Sequence, residues 1–257
     1  MREPTSVYWA LTGVFAAFHL VVSLVPYSIV LGASGVISFG LISGPLIGFL
    51  LGPIYGPIAV LLGSFLAITI DPALMVIGPF TPLATGAGAL AAGALRSGRA
   101  LPILAIYICA LLAFVLGPLG NIAPLFLIPH ALSLTIVGIL AATRVSERAS
   151  KMMMLEPDAP STVMSVLAVA FASVMLDNAI GNSIASYYFV YAVGADPVTM
   201  AGYFLSALFI YPIERSIAAL LITPLYVAVR TAMIQTNLDF LPESSSEEEK
   251  QPTETKG

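Results

Sequence analysis

Eight apolar runs, near 7–28, 36–52, 54–70, 80–96, 101–118, 122–142, 161–182 and 211–231, constrain this chain more than any other feature. A bilayer core takes about 20 apolar residues in helical form, within a range of roughly 17–25. The form is helical because backbone N–H and C=O groups find no water there and must bond to one another. The runs therefore predict an all-α polytopic integral membrane bundle of about eight spans. Charge agrees. Only 9% of the 257 residues are Asp, Glu, Lys or Arg, against about 25% in soluble domains. The first run follows a weakly charged start (Arg2, Glu3) and lacks an Ala-x-Ala cleavage site, so it reads as a retained span and not a secretory signal.

The basic residues orient the bundle. With the N-terminus in the cytoplasm, nine of the ten Lys and Arg lie inside and Arg215 alone lies outside, as the positive-inside rule demands. This predicts a cell-membrane protein with both termini cytoplasmic and in contact with lipid. The formal net charge of −4 resides in the tail, where six of the fourteen acids fall between Asp239 and Glu254. The preceding residues balance at eight against eight. Nucleic-acid binding needs a basic patch, and none is present. Cys109, the single cysteine, excludes an intramolecular disulfide and any multi-cysteine metal cage.

Residues 1–237 form the expected transmembrane bundle, with a polar cytoplasmic loop over 143–160. Residues 198–210 are apolar but too short to span, and are expected to lie externally as an interfacial or re-entrant segment. Residues 238–257 are rich in Ser, Glu, Pro and Thr and predict a disordered acidic cytoplasmic tail. Gly40, Gly44, Gly48, Gly52 and Gly56 recur every four residues, a spacing that lets helices approach closely in lipid. Pro45, Pro53 and Pro57 interrupt the row and predict a break near Gly52-Pro53, where the second span turns into the third. Ala84, Gly88 and Ala92 repeat the device in the fourth span.

No Walker A loop, GxGxxG after a strand, HExxH or clustered Asp pair occurs. His19 and His130 lie on different spans and read as packed, hydrogen-bonded core residues. An enzyme, a metal site and a cofactor are not expected. The polar anomalies lie elsewhere. An ionisable group at a helix centre in the bilayer costs roughly 2.5–3.5 kcal/mol on insertion scales, so it needs a partner or a role. Asp177, Asn178 and Asn182 close the seventh span, with 178 and 182 one turn apart on one face. Tyr187, Tyr188 and Tyr191 follow, placed either to form an interfacial belt or to stack on a flat heterocycle. Glu214 and Arg215 open the last span. Neighbouring side chains point in different directions on a helix, so at least one of them faces the bundle. Asp177, Asn178, Asn182, Tyr187, Tyr191, Glu214 and Arg215 are the candidate substrate-binding residues. The acids suit a cation and Arg215 suits an anion, so both charges stay open. Asp71, followed by Pro72, reads as a solvated turn or cap.

Three stretches carry a resemblance: GPLIGFLLGPIYGPIAVLLGS (44–64), FTPLATGAGALAAGALRSGR (80–99) and residues 175–229. Together with the small pair Gly13 and Ala17 in the first span, they make the chain resemble the substrate-binding S component of energy-coupling-factor (ECF) vitamin transporters, over about 190 residues. That family has six spans, whereas this chain inserts a hairpin, roughly 101–142, and adds the acidic tail. The resemblance implies a six-helix core that binds a vitamin or other small water-soluble nutrient on the outer side. It also implies a transmembrane coupling subunit and cytoplasmic ATPases as partners, with Gly13 and Ala17 contacting the coupling subunit. The alternatives are a self-sufficient secondary transporter, with Asp177 and Glu214 as proton-coupling carboxylates, and a non-transporting membrane scaffold whose tail recruits a partner.

Overall fold

The structure, a computed structural model, describes residues 5–29, 36–143, 145–157 and 159–236. The 238–257 tail lies outside these residues. Helix α1 (Thr5–Ser23) is followed by strands β1 (Pro26–Ile29) and β2 (Val36–Ser38), paired antiparallel with Pro26 opposite Ser38. The helix stops short of the expected 28 because Pro26 lacks the N–H a helix needs. The second expected span likewise begins in a strand. Short extended pieces thus decorate one end of an otherwise helical molecule.

Helix α2 (Gly40–Ile70) reverses on itself at Gly52, whose φ of 78° lies in the left-handed region open to glycine. Pro53 then starts the second limb. The glycine row folds back with it: a Cβ added to Gly56 would sit 2.8 Å from the Cα of Gly48. The four-residue spacing therefore serves a hairpin and not one continuous ridge. A 3₁₀ turn (Pro72–Leu74) and β3 (Val76–Pro79) lead into α3 (Thr81–Arg96). Helix α3 lies so close to α2 that a Cβ on Gly48 would overlap the carbonyl of Ala89, and one on Gly93 would lie 2.5 Å from the carbonyl carbon of Gly52. Small residues and not apolar bulk set this contact, as expected where lipid removes the hydrophobic drive between helices.

Helix α4 (Ala100–Leu116), a 3₁₀ turn (Pro124–Leu127) and α5 (Ile128–Ala142) occupy the stretch expected as a hairpin over about 101–142. It is tied to the core by the Ser183 hydroxyl, which donates to the Ala110 carbonyl at 2.6 Å. The loop expected over 143–160 contains a helix, α6 (Val145–Leu155). Ala149 and Met153, one turn apart, are buried there while Glu147 and Arg148 stay exposed, so burial of one apolar face outweighs the polar composition. Helix α7 (Pro160–Tyr187) runs into a π-helical turn (Tyr188–Ala192). The 198–210 segment is a ten-residue helix, α8 (Pro197–Ser206), followed by a turn into α9 (Ile210–Gln235).

Five helical segments among the described residues are long and apolar enough to cross a membrane: Ser6–Ser23, Gly40–Ile70, Pro124–Ala142, Pro160–Ala192 and Ile210–Gln235. Two of the eight expected spans are the limbs of α2. Helix α3, at 16 residues, rises only about 24 Å. Large apolar side chains such as Val14, Phe18, Leu112, Ile217 and Leu220 face outward, which suits a hydrocarbon surround and would be costly in water. The core lies between α2, α3, α7 and α9, where Phe49 and Tyr226 pack with ring centroids 4.8 Å apart.

Candidate functional site

One end of the bundle holds the Gly52 reversal and α6. At the other, helix ends and connecting segments surround a partly open cavity of about 150 Å³. A single buried water needs only about 10–15 Å³ on such a measure, so there is room for a molecule roughly the size of benzene. The walls come from the end of α1, β2, both limbs of α2, β3 and the start of α3. Residues of α7, α8 and α9 complete them.

Helix α7 contributes the floor in steps of four residues: Asp177, Gly181, Ala185 and, beyond the helix, Phe189, with Asn178 and Asn182 alongside. This is the stripe one helix face presents at a period of 3.6. Its neighbours make room for it. A Cβ on Gly88 would lie 3.3 Å from the Asp177 Cβ, and one on Gly181 would lie 3.3 Å from the Ala84 Cβ, so α3 and α7 meet at small residues beneath the carboxylate. The Asn182 amide donates to the carbonyl of Asn178 at 2.7 Å and so stays on its own helix.

Arg215 reaches the cavity from α9. It is 5% exposed, and its Nε and Nη1 have no hydrogen-bond partner among the described residues. Its guanidinium lies 5.9 Å from the ring centroid of Tyr211, one turn earlier, a cation–π distance. Asp177 is 8% exposed, and no ion-pair contact joins it to Arg215. A buried charge without a partner is costly by several kcal/mol. Two groups of opposite sign that line one cavity without pairing are therefore a specific arrangement, completed by water or by something else.

His19 braces the site from below. Its Nδ1 lies 2.7 Å from the Ser43 hydroxyl and its Nε2 2.8 Å from that of Ser64, so one imidazole joins α1 to both limbs of α2. His130 is held in the same way, with Nδ1 2.9 Å from the Tyr107 hydroxyl. Asp71 accepts from the Ala73 N–H at 3.0 Å and caps the turn after α2.

Four of the seven candidate binding residues, Asp177, Asn178, Asn182 and Arg215, meet at the cavity, and three do not. Tyr187 lies off the cavity stripe of α7; its hydroxyl donates to the Ala113 carbonyl at 3.0 Å, bracing α7 against α4. Tyr191 is 71% exposed in the π-helical turn. Glu214 points away, in keeping with the divergence of neighbouring side chains. Its backbone carbonyl accepts from the Tyr27 hydroxyl at 3.0 Å. Burial, and then the Glu214 carboxylate, hold the Tyr27 phenol above its usual value, with Arg215 opposing. Tyr188 is not free to stack either, since its ring lies against Gly78, whose φ of 60° and bare Cα permit the approach. The aromatic wall is instead Phe189, Tyr203, Phe204 and Tyr211. Tyr211, four residues before Arg215, could have been found from that spacing; Tyr203 and Phe204 could not, because their contribution depends on how α8 folds over the opening. Gly13 and Ala17 are exposed on the outer face of α1, with no atom of another element within 4 Å of where a Gly13 Cβ would be. Among the described residues, no group of three His, Cys, Asp or Glu side chains could hold a metal.

No known family profile matches the chain, and no solved structure matches it. The chain is 30% identical over 141 residues to an uncharacterised protein of Methanocaldococcus jannaschii, a match covering 55% of this chain. It spans about half that relative's length, 46%.

Proposed function

We propose that this protein is the membrane-embedded substrate-binding subunit of an importer for a small water-soluble nutrient, of the kind the ECF S components exemplify. The observation that carries the reading is the cavity with Asp177 and Arg215 buried in its wall and unpaired with each other. A packing core has no use for such a pair, whereas a polar ligand has. In this reading both limbs of α2, α3 and α4 cross together with α1, α5, α7 and α9, giving eight passages. Both termini are cytoplasmic. Arg96, Arg99, α6 and Arg230 then face the cytoplasm and the cavity opens outward, toward nutrient. Energy comes, in this reading, from a coupling subunit and ATPases, since the chain carries no Walker A loop. The small, exposed pair Gly13 and Ala17 on α1 suits a helix of that coupling subunit.

The test joins uptake to binding. Gly13→Leu with Ala17→Leu is expected to abolish uptake in cells while the purified protein still carries its ligand, identified by native mass spectrometry. The wild-type protein should co-purify with an ATPase-bearing complex. Uptake by the protein alone in liposomes under a proton gradient would overturn the subunit reading in favour of a secondary transporter. Orientation is tested at Arg148→Cys in a Cys109→Ser background, because Arg148 is exposed. A membrane-impermeant thiol reagent should leave Arg148→Cys unlabelled in intact cells and label it in inverted vesicles.

A further inference from the structure

The sequence leaves the ligand's charge open, and the geometry of the cavity narrows it. Resting on the importer reading, we infer that the ligand is a zwitterion of about one ring in size, its anionic group on Arg215 and its cationic or N–H donor group on Asp177. Arg215 lines the cavity with a side chain 5% exposed, and its buried Nε and Nη1 have no hydrogen-bond partner among the described residues. Its guanidinium is the cationic group of the wall, and a carboxylate or phosphate is what such a group receives through charge-assisted hydrogen bonds. Asp177 presents a carboxyl group, 8% exposed, that in its ionised form only accepts and suits an ammonium or a protonated ring nitrogen.

The two do not neutralise each other. A wall that bound a simple anion would gain nothing from Asp177, which would repel it, and a wall for a simple cation would suffer the same from Arg215. A ligand carrying both signs answers both groups at once, so the separation of the pair becomes a selection against singly charged competitors. Size follows from the cavity of about 150 Å³, and the ring from the aromatic side: Phe189, Tyr203, Phe204 and Tyr211 give it a surface to stack on. Glu214, the acidic residue on this part of α9, does not line the cavity. The wall charges therefore sum to one of each sign.

The experiment uses the purified full chain in detergent and four one-ring probes: benzoate, benzylamine, 4-(aminomethyl)benzoate and phenylalanine. The last two are zwitterions with their charges across the ring and on neighbouring carbons, respectively. Thermal-shift titration should show at least one zwitterion binding tenfold or more tightly than both singly charged probes. Asp177→Asn should bring that zwitterion down to the affinity of benzoate, and Arg215→Gln should bring it down to that of benzylamine. Arg215→Lys should retain part of the preference. Because the ranking is read on the wild-type protein, it survives any variant that fails to fold. Benzoate or benzylamine binding as tightly as both zwitterions overturns the inference, as does the absence of a shift with all four. The importer reading fails separately: a singly charged co-purified ligand with intact uptake sinks only the zwitterion, and tight zwitterion binding without coupled uptake sinks only the importer.

Discussion

Helix α9 carries two buried arginines, Arg215 and Arg230, about 22 Å apart along its axis. Arg230 is 2% exposed and its Nε donates to the Met154 carbonyl at 2.9 Å, one turn of α9 beyond Tyr226, whose hydroxyl donates to Met153 at 3.0 Å. Both contacts clamp α6 to the bundle. Arg215 is buried almost as deeply, yet its Nε and Nη1 stand without partners beside a cavity. Burial alone is therefore a poor guide to role. Arg230 is tied by its Nε to a backbone carbonyl and closes the structure, whereas Arg215 lines a cavity with no hydrogen bond at Nε or Nη1.

That contrast can be broken by substitution, and the largest effect belongs to the closed end. Gly48→Leu would drive a side chain into the Ala89 carbonyl and is expected to cost more than about 4 kcal/mol, seen as loss of the monodisperse peak in size-exclusion chromatography. Gly13→Leu, on an open face, should elute as wild type. The arginines come next. Arg230→Met should lower stability by about 1–3 kcal/mol, because the Met154 carbonyl loses its donor. Arg215→Met should leave stability within about 1 kcal/mol of wild type or raise it, because an uncompensated buried charge is removed. Thermal unfolding of the two variants side by side decides. Equal losses would mean that Arg215 is structural too.

Smaller effects sharpen the same distinction. His19→Leu removes two hydrogen bonds between α1 and the limbs of α2 and strands two buried hydroxyls; a loss of about 1–3 kcal/mol is expected, measured by thermal unfolding. Tyr187→Phe removes one bond to α4 and should cost about 0.5–1.5 kcal/mol without changing ligand affinity. Weaker binding in that variant would return Tyr187 to the site. The smallest effect is at Asp196, which caps α8 by accepting from the Thr199 N–H and hydroxyl at 2.8 Å each. The Thr199 amide, then its hydroxyl, hold this carboxyl below the usual range. Its contribution is therefore present above the unfolded-state value of about 3.9 and is lost as pH falls through the lower folded value. Amide exchange at Val198–Met200, corrected for its intrinsic pH dependence, should lose protection in that window in wild type. In Asp196→Ala the protection should be low throughout.

Much of this molecule was legible before any coordinates. Apolar length marks the long helices because the bilayer sets one length for all of them, and Gly52-Pro53 marks the reversal because a positive φ followed by a residue without an N–H is a local property of two residues. Asp177, Asn178, Asn182 and Arg215 stood out because polar groups in apolar runs need an explanation wherever they lie. Helix α6 was missed for a related reason. Its overall composition is polar, and only the neighbours of Ala149 and Met153 reveal that one face is buried.

What the sequence determined by itself is what depends on residues within a turn or two of one another: helical runs, breaks, caps, and which polar side chains are out of place. The tertiary structure alone decided which of them meet. Asp177 and Arg215 lie thirty-eight residues apart, and whether they share a cavity depends on how α7 and α9 are rotated about their own axes. That rotation is set by close contacts at Gly88 and Gly181 and by α8 folding over the opening. The same rotation turns Tyr187 toward α4 and Glu214 away from the cavity. A shift of one position along a helix is about 100° around it, so candidates adjacent in the chain were separated by packing that no local pattern encodes.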